Sequence, residues 1–64
     1  MKRLITKKAT GKLLTPNGHW NKDVADAQSF PNIVSAIQAE HRLLLTDVEL
    51  LLMLDDLPAH YDLV

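Results

Sequence analysis

The chain contains no cysteine. Disulfides and thiolate zinc sites are therefore excluded, and with them two common supports of very small domains. Glycine occurs only at Gly11 and Gly18, in separate stretches, so there is no glycine-rich phosphate loop. Aromatic residues are limited to Trp20, Phe30 and Tyr61. The core must then be built mainly from leucine, small and smooth. No long apolar run is present: the longest stretch, Leu43 to Leu54, is broken by Thr46, Asp47 and Glu49. A bilayer span needs about 20 apolar residues, so no membrane association is expected. After Met1-Lys2-Arg3 only Leu4-Ile5 are apolar before Thr6-Lys7-Lys8, far short of a signal-peptide core. A cytoplasmic protein is expected, in keeping with the lack of cysteine.

The last absence is of acid. Residues 1–22 hold Lys2, Arg3, Lys7, Lys8, Lys12 and Lys22 and no acidic side chain. Residues 23–64 hold eight acidic side chains against Arg42 alone. A net charge of −1 thus conceals two opposed portions. They could attract each other within the fold or across a dimer, and the basic third could attract a polyanion.

What is present is a leucine-rich globular composition. The hydrophobic fraction of 47% is too high for disorder. Sixty-four residues make a single domain, 1–64, that buries only about 60% of its unfolded surface. With disulfides excluded and three scattered histidines giving no metal spacing, oligomerisation is the simplest remaining support.

Turn residues punctuate the first half. Lys8-Ala9-Thr10-Gly11 separates two short runs, Arg3–Thr6 and Lys12–Thr15, which reads as a β-hairpin. Thr15-Pro16-Asn17-Gly18 is a second turn, after which the chain continues through His19-Trp20. Asn21–Ala27 suggests a single helical turn, and Gln28-Ser29-Phe30 a brief third strand. Asn32 is a favoured N-cap, and Ile33, Ala36, Ile37 and Leu44 recur at helical spacing with Val34 beside them. A helix is predicted over 32–44, with His41 on its apolar side.

The last third admits two readings. Thr46-Asp47-Val48-Glu49 forms a capping-box pattern, which favours a second helix ending before Pro58. Val48–Leu54 is also a nearly continuous apolar run of the length of a buried strand. A helix here would be apolar around most of its circumference, which so small a protein can scarcely cover. Strand is the favoured reading, with Asp55-Asp56-Leu57-Pro58 as the following turn and Tyr61–Val64 as a short extended tail.

The series Lys8-Ala9-Thr10-Gly11-Lys12, Trp20, Asp23, Ala27, Phe30, a helix, then Val48-Glu49-Leu50 resembles small uncharacterised bacterial and phage-type proteins of similar length. The resemblance implies an apolar strand after the helix, and it brings no function with it. Two positions depart from it. Leu13 stands where an aromatic is expected, and leucines follow the helix where a Gly stop is more usual. The fold expected is α+β: a small β-β-(β)-α-β domain with an antiparallel sheet and one main helix.

Several residue groups are candidates for function. The leucine-rich segment Leu45, Val48, Leu50, Leu51, Leu52, Met53 and Leu54 has more apolar surface than one helix can cover, which makes it the candidate protein interface, most simply in a homodimer. The Leu43–Leu45 run likewise calls for a cover. Lys2, Arg3, Lys7, Lys8, Lys12, Trp20 and Lys22 form a candidate polyanion surface, lysines meeting phosphates and Trp20 stacking on a base. The plainer readings are a lysine-protected edge strand and a tryptophan that plugs the core. Nucleic acid is not the favoured partner, because the chain is not basic overall.

Asp55, Asp56, His60 and Asp62 match no calcium-loop pattern, so no metal site is assigned. Ser29, Ser35, His41 and His60 share no spacing suited to nucleophilic catalysis. No catalytic residue, cofactor or enzymatic activity is expected. The leading expectation is a non-catalytic protein-interaction module that self-associates; the alternative is a small nucleic-acid-binding protein.

Overall fold

The computed structural model describes residues 2–54 and 57–62. In chain order the elements are β1 (Lys2–Lys7), β2 (Leu13–Leu14), β3 (Trp20–Asn21), a 3-10 turn (Val24–Asp26), α1 (Ile33–Arg42), β4 (Val48–Leu54) and β5 (Leu57–Asp62). The five strands form one sheet in the order β3-β2-β1-β4-β5, with every neighbouring pair antiparallel. The α+β class expected from the sequence is the one observed.

Both glycines act in turns. Gly11 sits at φ +72° and its N–H donates to the Lys7 carbonyl (2.8 Å), closing the β1–β2 hairpin in which Thr6 pairs with Leu13. Gly18 sits at φ +82° and donates to the Thr15 carbonyl (3.0 Å). A side chain with a Cβ is strained at such angles, which accounts for glycine at these two points. The Thr15 hydroxyl ties the second turn from both sides, donating to the His19 carbonyl (3.1 Å) and accepting from its N–H (3.2 Å).

The strand after this turn is Trp20–Asn21, and the expected third strand at Gln28–Phe30 is reduced to one bridge. There the Phe30 N–H donates to the Arg3 carbonyl (2.8 Å), and the Gln28 N–H to that of Leu14 (2.9 Å). Phe30 therefore extends the line of β2 alongside β1, and the Arg3 guanidinium holds the Pro31 carbonyl at 2.9 Å.

Helix α1 begins where the sequence places it, with the Asn32 side chain accepting from the Ser35 N–H at 2.9 Å. Its buried face matches the expected one only at Ala36 and, in part, Ile37. Ala36 and Ala39 are buried, while Ile33, Val34, His41 and Leu44 are exposed. The small alanines let the helix lie close over Ile5, Leu14 and Leu50, and larger side chains turn outward.

The strand reading of Val48–Leu54 holds. Strand β4 is an inner strand, paired residue for residue with β1 (Ile5 with Leu50, Leu4 with Leu51) and with β5. Alternation sends Val48 and Leu50 toward the helix, with Ile5, Leu14 and Phe30. Leu51 goes to the other side, with Leu4 and Leu13. Val24, Ala27 and Met53 pack over that second cluster. Continuous apolarity is the signature of a strand covered on both faces.

Two expectations after β4 change. Leu57 and Pro58 open strand β5 rather than complete a turn, and Tyr61 and Asp62 belong to that strand rather than to a loose tail. Asp55 and Asp56, also assigned to that turn, lie outside the described residues, as do Leu63 and Val64.

Candidate interaction surfaces

The fold uses most of the leucine-rich segment for itself. Val48, Leu50 and Leu51 are buried, and Leu45, Leu52 and Met53 are half-buried against the two clusters. Of the seven residues expected at an interface, only Leu54 is exposed. The physical reason is β5: a strand on the outer side of β4 and a loop layer under the sheet supply covers that were expected from a partner.

Exposed large apolar side chains lie elsewhere: Ile33 and Val34 in the first turn of α1, Leu43 and Leu44 just after its last, and Leu54 and Tyr61 on the outer hairpin. Leu44 is the extreme case. It is 85% exposed and takes φ +53°, the left-handed region. The surrounding hydrogen bonds show why. The Leu45 N–H donates to the Glu40 carbonyl (3.0 Å) and the Leu44 N–H to that of His41 (3.3 Å). This is a Schellman stop, whose left-handed position is usually glycine. Leu44 stands beside an open depression of about 330 Å³ that it lines with Glu40, His41, Leu45 and Thr46.

The basic residues divide into two groups. Lys2 and Arg3 begin β1, while Lys7, Lys8 and Lys12 surround the hairpin at its far end, roughly 17 Å away at strand rise. Arg3 is engaged with Pro31. The Lys7 ammonium lies 5.3 Å from the centroid of the Trp20 ring, a cation–π contact. Trp20 packs half-buried against the helix-side core, and it also lines an open groove of about 580 Å³. Lys22 follows β3 directly and is exposed. The Lys7–Trp20 contact was not legible in the sequence, because twelve residues and two turns separate the partners.

Among the described residues, no group of three or more histidine and acidic side chains is placed to hold a metal ion. His60 Nδ1 lies 2.6 Å from Glu49 Oε1, joining β5 to β4 on the face opposite α1. His41 Nε2 lies 3.8 Å from Glu40 Oε1. Among the described residues, neither Ser29 nor Ser35 is hydrogen-bonded to a histidine. No helix among the described residues is long and apolar enough to cross a membrane. Comparison with known protein families, curated proteins and solved structures gives no match.

Proposed function

We propose that this chain is a small non-catalytic protein-interaction module that self-associates through the corner at the C-terminal end of α1. The observation that carries the reading is Leu44: a large apolar side chain, 85% exposed, held at a backbone angle where glycine would be less strained. The surrounding hydrogen bonds hold the strain in place, and strain of this kind clusters at functional sites. Contact with a partner would offset that strain.

A second copy is the occupant that the local shape favours. The projecting Leu44 and the depression next to it lie side by side on one surface. A two-fold axis between two copies would set each Leu44 into the other's depression, the self-complementary arrangement of a symmetric dimer. Leu43 would be covered in the same contact. A cytoplasmic setting belongs to the same proposal, supported by the lack of cysteine.

The test is sedimentation velocity over a concentration series, on the natural sequence and on Leu44→Gly. Glycine suits the left-handed position, so this variant keeps its fold and isolates the side chain's part in association. A concentration-dependent dimer that weakens at least tenfold in Leu44→Gly supports the proposal. A natural chain that stays monomeric at high concentration, or a dimer indifferent to the substitution, overturns it.

A further inference from the structure

We infer that the groove beside Trp20, together with a row of lysines that the sheet register aligns two residues away along the strands, is a binding site for single-stranded nucleic acid. The site is built from residues other than the Leu44 corner and does not depend on it. The register of the sheet brings its cations together. Thr6 pairs with Leu13, and the Lys7 N–H donates to the Lys12 carbonyl at 2.9 Å, so Lys7 and Lys12 stand level on adjacent strands. Leu13 pairs with Asn21, so the next residue, Lys22, continues the same row. Strands lie about 4.8 Å apart, and three lysines in a row span about 10 Å at the backbone. That is the length of about three stacked nucleotides.

Trp20 joins Lys7 to the groove. Lys7 is stacked on its ring, and the ring shares the groove with Thr15, Asn17, His19 and Asp26. Bases stack on exposed aromatic rings with little regard to sequence, and lysines beside the ring neutralise the adjoining phosphates. Among the described residues, neither the Asn17 amide nor the His19 ring makes a hydrogen bond within the chain, which leaves both to meet a base edge.

The carboxylate of Asp26 also lines the groove, where it accepts from the Asn21 amide at 3.3 Å. It would repel a phosphate and accept from an exocyclic base amine. Bases therefore belong in the groove and phosphates on the lysine row. A duplex keeps its base faces stacked inside and has no base to offer Trp20.

Trp20 is the chain's single tryptophan, so its fluorescence reports on the site directly. The experiment titrates a 12-nucleotide oligo(dC), the matching duplex, and heparin as a polyanion without bases, each at several salt concentrations. Quenching is expected with the single strand and not with heparin. Log K should fall with log salt at a slope of about −0.7 per lysine engaged, hence about −2 for the row. The double variant Lys7→Gln, Lys22→Gln should flatten that slope to about −0.7. No quenching by the single strand at low salt, equal quenching by heparin, or equal affinity for the duplex would each overturn the inference. Because both substitutions are at partly or fully exposed lysines, the variant should remain folded, which its circular dichroism verifies.

Discussion

At the scale of single residues, backbone sign is the informative quantity. Asp47 also takes a positive φ, +58°, but its short polar side chain tolerates that region. Leu44 has no such excuse. Left-handed geometry costs an ordinary side chain about 1–2 kcal/mol, and an exposed leucine gains nothing from the core in return. Leu44→Gly should therefore stabilise the monomer by about 1 kcal/mol, a rise in Tm of about 4–8 °C for a domain this small. Thermal denaturation at low concentration, where any dimer is dissociated, checks this; an unchanged or lower Tm would mean that Leu44 makes stabilising contacts in the monomer. The same scale shows what a sequence exposes. Asn32 as the cap, and Gly11 and Gly18 as turn residues, were legible because their chemistry suits one local geometry. The left-handed Leu44 was not, because nothing in a leucine announces that the chain will reverse there; the only signal was a missing glycine.

At the scale of elements, the difficult segment was the one without periodicity. Val48–Leu54 carries no alternation because both faces of β4 are covered, by α1 on one side and by Val24 and Ala27 on the other. Its length, and the excess of apolar surface a helix would have exposed, were enough to favour a strand. What could not be read was β5. Leu57–Asp62 has little of the composition of a strand, and Pro58 argued for a turn. Pairing with β4 overrides both, and proline is admissible there because β5 is an edge. A proline in an edge strand has its missing N–H on the solvent side, where it leaves a gap in the row of backbone donors. The open edge of β5 then presents an interrupted set of donors, a device that discourages further strand pairing. Pro58→Val restores a donor and raises strand propensity at that position. The expected outcome is faster, concentration-dependent aggregation on mild heating, followed by light scattering, with little change in the native spectrum. Aggregation no faster than that of the natural chain would show that the edge is protected by other means, such as the Glu49–His60 pair on its flank.

At the scale of the whole molecule, the question is whether the chain can close its own core. Its radius of gyration of 10.4 Å is close to the roughly 10.7 Å expected of a compact chain of this length. The carboxylate–histidine contacts of Glu40 with His41 and of Glu49 with His60 both lie within the acidic portion and do not join it to the basic one. Cohesion rests instead on two thin apolar layers, one on each side of the sheet, meeting at β1 and β4. Leu51 belongs to the thinner one, with Leu4 and Leu13. This gives the leucine-rich segment a different test from the one its composition suggested. Had Leu51 been an interface residue, Leu51→Asp would yield a folded monomer. As a core residue it would instead strand a carboxylate between Leu4 and Leu13, at a penalty of several kcal/mol. The total stability of so small a domain is only about 3–10 kcal/mol. Leu51→Asp should accordingly lose its cooperative thermal transition and the dispersion of its amide NMR spectrum. Leu44→Gly should keep both and lose only association. The opposite pattern, a well-dispersed Leu51→Asp monomer, would mean that the second layer does not hold the sheet and that its apolar face is free to meet a partner.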